Sequence, residues 1–275
     1  MAAKLGIIAG GGALPRLLIA AARAAGRPLF VLALEGHCEP ATATDVEHGW
    51  IRLGQGGTGI DMLKRAGVGE LVMAGPVKRP SLLELRPDLR TAQFLARIGR
   101  RAFGDDGLLG AVVKELESEG FAVIAADSLL DGLLAPAGPL GRLQPDEAAQ
   151  IDIERAVAVA QALGALDIGQ AVIVQQGVVL GVEAAEGTDA LIRRCGPLKL
   201  DGPGGVLVKI AKPGQERRVD LPTIGTATIA AAAAAGLRGI AVEAGGTHIV
   251  DRPAVAAAAD AAGLFVVGIA PVQRA

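Results

Sequence analysis

The sequence has very few aromatic residues and almost no net charge. Its 275 residues include no tyrosine, one tryptophan and five phenylalanines, and the formal net charge is −2. Proteins dedicated to nucleic acids usually carry a basic surface and aromatic rings on which bases stack. Both features are missing, so we expect no nucleic-acid partner. Disorder is excluded as well, because hydrophobic residues make up 51% of the chain and disordered segments combine low hydrophobicity with high net charge.

Residues that form disulfides or bind structural metals are also scarce. The two cysteines, Cys38 and Cys195, are far apart and match no CxxC pattern, and the three histidines lack metal-ligand spacing. We therefore expect two reduced thiols rather than a disulfide framework or a zinc site. The sequence contains no GxSxG, HExxH or Walker A motif either, so the enzyme classes that those motifs define are not indicated.

Long apolar runs are missing too, although the mean hydropathy is positive at +0.43. A membrane-spanning helix needs about 20 apolar residues, and the most apolar stretch, 224–237, is shorter and rich in alanine. The first twelve residues form a short apolar run that ends in glycines, unlike a signal peptide. We expect a cytoplasmic protein, with peripheral membrane contact left open.

The chain does contain a regular alternation of apolar strands and helices, separated by glycines. Apolar runs at 5–9, 29–34 and 70–74 are typical of strands that are buried on both faces. Helical segments lie between them, for example at 14–25. Such alternation predicts an α/β fold with a Rossmann-like parallel sheet in an amino-terminal domain, residues 1–134.

The pattern changes after this domain. Residues 135–145 hold three prolines and have no period, which predicts a linker. In the remaining part, 146–275, two apolar runs flank a Gln-Gly turn and indicate a hairpin. Further strands and helices follow, so we predict a second α/β domain with a mixed sheet.

Glycines follow two strands of the expected parallel sheet. Gly10–Gly12 lie between a strand and a helix, and Gly75 follows another strand. Free N–H groups and the helix dipole at such a turn can bind an anion, and ligands of these sheets bind beyond the carboxyl ends of the strands. Spacing alone leaves three alternatives: a nicotinamide or flavin cofactor with Glu35 on its ribose, another phosphate ligand, or a purely structural turn. Pro15 occupies the place of the third fingerprint glycine.

Two segments of the second domain carry further candidates. Gly187 and Thr188 suit a phosphate-binding turn at a helix start, where Thr188 offers both an N–H and a hydroxyl, and Asp189 could cap the helix or hold a divalent cation. In 209–220, four cations, an amide and two carboxylates crowd together. Because like charges repel, a phosphate partner is the economical explanation, and a solvated loop is the alternative. Asp220 should stay ionised there.

Five runs of residues together resemble the LpxI family, the UDP-2,3-diacylglucosamine pyrophosphatases of lipid A synthesis in Gram-negative bacteria. The runs are 6–15 (GIIAGGGALP), 166–170 (LDIGQ), 182–189 (VEAAEGTD), 212–215 (KPGQ) and 220–225 (DLPTIG). They occur in matching order over nearly the whole chain. The resemblance implies hydrolysis of the substrate's pyrophosphate to UMP and 2,3-diacylglucosamine 1-phosphate (lipid X), with Mg²⁺ or a similar divalent cation, in a cleft between the two domains.

The resemblance also implies roles for individual residues. The family's essential aspartate corresponds to Asp220, which would position the metal or a water. Lys212 and Gln215 would join it as catalytic residues that hold the phosphates. The expected substrate-binding residues are Gly11, Gly12, Gly75, Gln170, Thr188, Asp189 and Thr223. We expect a lipid-linked UDP-sugar as the partner and leave open contact with the inner membrane and a homodimer. The alternatives are an oxidoreductase with a nucleotide cofactor (NAD or FAD) and a non-catalytic carrier of nucleotide-sugar lipids.

Overall fold

The computed structural model describes residues 3–78, 85–99 and 105–270. The chain forms two compact units, and the boundary is crossed three times. The first unit is Met1–Asp131 with Glu216–Asp220, and the second is Gly132–Gln215 with Leu221–Ala275. The five-residue segment Glu216–Asp220 therefore belongs to the first unit although its neighbours in the sequence belong to the second.

The first unit is built on a five-stranded parallel sheet. Its strands are β1 (Lys4–Ala9), β2 (Leu29–Leu34), β3 (His48–Ile51), β4 (Val68–Ala74) and β5 (Ala122–Val123), in the order β3-β2-β1-β4-β5. The helices are α1 (Leu14–Ala24), α2 (Pro40–Ala43), α3 (Gly56–Arg65), α4 (Leu89–Ile98) and α5 (Asp105–Ser118), with a 3₁₀ turn at Ala126–Ser128. The predicted Rossmann-like parallel sheet is confirmed.

The apolar runs explain why these segments are central strands. Leu5, Ile7 and Val31 are fully buried, as a strand covered on both faces requires. Between β1 and β2, α1 begins with a proline in its first turn and ends before Gly26, whose φ of +60° suits glycine. The order in which successive strands are added to the sheet reverses between β1 and β4, and parallel sheets of this kind usually bind ligands beyond the carboxyl ends of the strands at that point.

The second unit contains a six-stranded mixed sheet. Its strands are β6 (Gly138–Pro139), β7 (Ala171–Gln175), β8 (Val178–Val182), β9 (Val206–Lys209), β11 (Gly239–Glu243) and β13 (Phe265–Ile269), in the order β6-β13-β11-β9-β7-β8. Strands β9, β11 and β13 are parallel to one another. In contrast, β6 runs antiparallel to β13, and β7 runs antiparallel to β9. A separate parallel pair joins β10 (Thr223–Ile224) to β12 (His248–Ile249). The predicted mixed sheet is confirmed.

Small side chains pack helices against both faces of this sheet. The helices are α6 (Glu147–Ala165), α7 (Thr188–Cys195), α8 (Thr226–Ala234) and α9 (Arg252–Ala262), with a 3₁₀ turn at Gly196–Leu198. The alanines of α6 lie on valines of β7 and β9, and α7, α8 and α9 share a second core with Ile173, Leu207 and Ile240. An alanine-rich composition therefore still yields a well-filled core. Within the described parts of the chain, no helix combines the length and apolar character needed to cross a bilayer.

Residues 135–145, which the sequence predicts to be a linker, lie along the second sheet. They include β6, and the N–H of Leu140 donates to the carbonyl of Val266 at 2.8 Å. Ala135 is buried and its N–H donates to the carbonyl of Thr247 at 2.8 Å. Prolines are tolerated at a sheet edge because no further strand needs their missing N–H. The proline content of the segment reflects this edge position.

Candidate functional site

Buried polar side chains of the second unit gather at one edge of its mixed sheet. Strands β9 and β11 end there, at Lys209 and Glu243, and β7 begins there after Gln170. Polar groups are rarely buried unless they are hydrogen-bonded. The side chains in question are each less than a tenth exposed, and they are Glu183, Lys209, Lys212, Gln215 and Glu243. This concentration marks the edge as a candidate site.

Lys212 is one of the two buried lysines named at this edge. Its Nζ donates to Oδ1 of Asp167 at 2.7 Å, and its side chain is 6% exposed against 32% for that of Asp167. Asp167 follows α6 with a φ of +53°, in the left-handed region that aspartate adopts more readily than most residues. The closeness of the two segments also explains Gly164, where a Cβ would lie 3.0 Å from Pro213.

Gln215 and Gln170 extend the arrangement. The Oε1 of Gln215 accepts from the N–H of Lys212 at 3.0 Å, and its Nε2 is 3.5 Å from the Oε1 of Gln170. The structure thus brings together three residues that the sequence singles out, although they come from segments about 45 positions apart. Side-chain amides carry both donors and acceptors, which suits them to phosphate or sugar oxygens.

Glu183 connects this group to the start of α7. Its Oε2 accepts from the N–H of Gln170 at 3.2 Å, and its Oε1 accepts from the hydroxyl of Thr188 at 2.6 Å. The hydrogen of the Thr188 hydroxyl is therefore engaged by a carboxylate, and the role of Thr188 in phosphate binding stays a prediction. Asp189, in the first turn of α7, is exposed.

Thr223 lies in the two-stranded pair of the same unit. Its carbonyl accepts from the Nζ of Lys209 at 3.0 Å, and its hydroxyl donates to the carbonyl of Leu221 at 3.2 Å. Glu243 is 3% exposed and accepts from the N–H of Ala211 at 3.2 Å. Sequence reasoning assigned no site role to Glu183, Glu243 or Asp167. An acid directly at the end of an otherwise apolar strand (GVE at 183, IAVE at 243) is a signal that could have found the first two.

Asp220 ends the segment that belongs to the first unit. Its N–H donates to the carbonyl of Glu216 at 3.0 Å, and Val219 packs against the core of that unit. Arg218 donates to Glu216 at 2.9 Å and to Glu117 at 2.6 Å. Hydrogen bonds from Arg218 lower the pKa of Glu216, and the two carboxylates raise the pKa of Arg218.

These ion pairs correct one step of the sequence-based reasoning. The crowded cations of 209–220 were expected to need a phosphate to relieve their repulsion. Instead, protein groups already contact three of them: Asp167 contacts Lys212, two glutamates contact Arg218, and a backbone carbonyl contacts Lys209. Charge crowding by itself therefore does not require a phosphate ligand.

The glycines of the first unit lie at the carboxyl ends of β1 and β4. Gly75 has a φ of +89°, and a Cβ on it would lie 2.1 Å from the carbonyl oxygen of Gly11. The N–H of Gly11 donates to the carbonyl of Pro76 at 3.0 Å, so this N–H is not free to bind an anion as the sequence suggested. Gly12, with a φ of +75°, follows. Close approach of the two loops accounts for Gly75 without a ligand.

A preformed metal cage is not part of this arrangement. In residues 3–78, 85–99 and 105–270, no three His, Cys, Asp or Glu side chains are grouped so that they could hold a metal ion. Mg²⁺ is usually bound by one or two carboxylates together with substrate phosphates. A single carboxylate such as that of Asp220 suits that mode.

The two units correspond to two family models. Residues 4–133 match the model described as the LpxI N-terminal domain, and residues 136–267 match that of the LpxI C-terminal domain. The chain is also 44% identical over 282 residues to a protein of Caulobacter vibrioides named UDP-2,3-diacylglucosamine pyrophosphatase LpxI. That similarity covers 98% of this chain and 99% of the relative.

Proposed function

The chain belongs to the LpxI family, and from this membership we propose that it hydrolyses UDP-2,3-diacylglucosamine to UMP and 2,3-diacylglucosamine 1-phosphate (lipid X). The observation that carries the proposal is the 44% identity over 98% of the chain to a relative named for this pyrophosphatase activity. The reaction breaks one P–O bond of the pyrophosphate. The oxygen of water joins one phosphorus, the bridging oxygen stays on the other, and a proton is released.

Lys212 and Gln215 are proposed to hold the pyrophosphate. The substrate brings two negative charges to the site, and a cation removed from bulk water interacts with them more strongly than an exposed one. The buried ammonium of Lys212 supplies that charge, and its bond to Asp167 fixes its position. The amide of Gln215 is held by the backbone of Lys212, so both groups are oriented before substrate binds. Such preorganisation is a major source of catalytic stabilisation.

Asp220 is proposed to position the attacking water or the metal. A carboxylate can accept a proton from water as it attacks phosphorus. The turn that ends at Asp220 is held by the backbone bond to Glu216 and by the ion pair between Glu216 and Arg218. Those contacts limit the motion of the backbone from which the carboxylate projects.

A divalent cation, with Mg²⁺ as the leading candidate, is proposed as the cofactor. When bound, it would neutralise charge on the pyrophosphate oxygens. Asp220 is the residue that would hold it, with substrate oxygens as the remaining ligands. The lack of a three-residue metal cluster within the described ranges favours an ion that binds together with the substrate.

The remaining substrate contacts are assigned to two groups of residues. Gly11, Gly12 and Gly75 would present backbone to the substrate, and Gln170, Thr188, Asp189 and Thr223 would supply polar contacts. The substrate carries two acyl chains and is lipid-linked. We propose that the enzyme acts in the cytoplasm at the surface of the inner membrane, where such a substrate partitions.

Product analysis tests the proposed function. The full chain is incubated with UDP-2,3-diacylglucosamine and Mg²⁺, and UMP and the lipid 1-phosphate are identified by mass spectrometry. We expect both products in equal amounts. Tight binding of the substrate without products would indicate the non-catalytic carrier, and a bound nicotinamide or flavin spectrum would indicate the oxidoreductase. Either result from a folded protein would overturn the proposal.

A further inference from the structure

Glu183 is a buried acid for which the proposed mechanism has no role. Its side chain is 6% exposed, and both of its oxygens are engaged. One accepts from the backbone of Gln170 and the other from the hydroxyl of Thr188. Among the residues that the structure describes, no lysine, arginine or histidine forms an ion pair with it. Buried carboxylates usually have a cationic partner. This acid is instead held by hydrogen bonds from Gln170 and Thr188, both of which are substrate-binding candidates.

The bond to Glu183 decides which hydrogen-bonding role remains to Thr188. In the 2.6 Å contact between them, the hydroxyl of Thr188 donates to Oε1 of Glu183. A hydroxyl has one hydrogen and two lone pairs. Thr188 is only half-buried, so its hydroxyl, with the hydrogen directed to Glu183, can accept from a ligand but cannot donate to one.

The charges around Thr188 also disfavour a phosphate ligand. Glu183, Glu186 and Asp189 all lie within five positions of it, and the guanidinium of Arg194 is engaged by Glu186 at 2.9 Å. Hydrogen bonds from backbone N–H groups and from Arg194 lower the pKa of Glu186, so that acid stays charged. A phosphate placed here would meet negative charge and an acceptor oxygen, whereas a neutral O–H or N–H group would meet an acceptor of suitable polarity.

We infer that Glu183 and the hydroxyl of Thr188 form a recognition element for a neutral hydrogen-bond donor of the substrate, and that this hydroxyl does not bind its phosphates. The inference rests on the proposed function for the identity of the substrate. The donor is a hydroxyl or imide N–H of the uridine half, or a hydroxyl of the glucosamine half. Thr188 is the contact residue. Glu183 is a positioning residue, which acts by fixing the direction of the Thr188 hydroxyl and the backbone of Gln170.

Binding measurements on the full chain test the inference, with UMP, glucosamine 1-phosphate and inorganic pyrophosphate as separate probes. In Thr188→Val, we expect the affinity for UMP or for glucosamine 1-phosphate to fall roughly five- to tenfold, the effect of one lost hydrogen bond. The probe that weakens identifies the half of the substrate that binds here. The affinity for pyrophosphate should not change, and Thr188→Ser should retain wild-type affinities.

Two further variants separate positioning from structure. Glu183→Gln keeps the size of the side chain, but its amide can donate to Thr188 and turn the hydroxyl hydrogen outward. We expect the same probe to weaken and pyrophosphate to bind equally well or more tightly. Glu154→Gln, the same exchange at an exposed position of α6, is the control and should leave all three affinities unchanged. Weaker pyrophosphate binding in Thr188→Val, or no change for any probe, would overturn the inference.

The proposed function is judged separately, by turnover of UDP-2,3-diacylglucosamine by the wild-type chain. A chain that binds the probes as described but releases no UMP would refute the proposed function and would leave the recognition element supported. If the wild-type chain binds none of the probes, kinetics with the whole substrate replace them. A KM raised in Thr188→Val at unchanged kcat supports the inference, and an unchanged KM refutes it.

Discussion

Replacing Asp167 by asparagine should show how much its ion pair with the buried Lys212 contributes to the free energy of unfolding. Asparagine keeps an oxygen that can accept from Nζ but removes the negative charge 2.7 Å away. Removing one partner of a fully buried ion pair costs about 3–5 kcal/mol, whereas an exposed pair contributes less than about 1 kcal/mol. Because the Asp167 side chain is one-third exposed and that of Lys212 only 6%, we expect a loss of about 2 kcal/mol in the free energy of unfolding.

A double-mutant cycle with Lys212→Met gives the sharper measurement. Once the ammonium of Lys212 is gone, Asp167→Asn no longer breaks an ion pair with it, so the double variant should be more stable than the sum of the single losses predicts. We expect a coupling energy of about 1–2 kcal/mol.

The unfolding assay must follow the unit that contains the pair. Trp50 lies in β3 of the first unit, so its fluorescence does not report on the second unit directly. Far-ultraviolet circular dichroism during urea denaturation reports on both units. Losses that add within about 0.5 kcal/mol would refute the reasoning, since Asp167 and Lys212 would then not be energetically coupled.

Three further predictions address charge, backbone and metal. Glu216→Gln should lower the free energy of unfolding at pH 7 by less than about 1 kcal/mol. The difference should shrink below about pH 4, because Arg218 lowers the pKa of Glu216 and the contribution of the ion pair is lost as the acid protonates. Equal differences at pH 7 and pH 3 in urea denaturation would contradict this. Gly75→Ala should lower the free energy of unfolding by about 2–4 kcal/mol, since its Cβ would lie 2.1 Å from the carbonyl oxygen of Gly11 at a φ of +89°. An unchanged denaturation midpoint would argue against the close approach of the two loops. Removing divalent cations with EDTA should stop UMP release and added Mg²⁺ should restore it, whereas full activity in EDTA would exclude the proposed cofactor.

Much of the fold follows from local patterns in the sequence. The strand at Leu29–Leu34 and the helix that starts at Leu14 are where the apolar runs and glycines place them, because burial on both faces and helix-end chemistry are local properties. The hairpin is likewise readable, since Gln176 and Gly177 both have a positive φ and form the two-residue turn that joins β7 and β8.

Features that depend on distant partners were not readable. The short strand β6 exists because β13, more than 100 positions away, offers a sheet edge, and its prolines suggested a linker. The N–H of Gly11 was expected to be free, but it bonds to Pro76 in a loop about 65 positions away. The role of Glu183 depends on both Gln170 and Thr188. Sequence patterns report residue types, whereas these outcomes depend on which groups the fold places within hydrogen-bonding distance.

Side-by-side time courses of the wild-type chain and Asp220→Asn test whether the chain hydrolyses the pyrophosphate and whether Asp220 takes part in that step. UMP released from UDP-2,3-diacylglucosamine is measured in the presence of Mg²⁺, and substrate binding is measured for both proteins. We expect steady UMP release by the wild type and a rate at least about 100-fold lower for Asp220→Asn, with substrate binding retained. Release of UMP by Asp220→Asn at the wild-type rate would contradict the role of Asp220, and no UMP from folded wild-type protein would contradict the function itself.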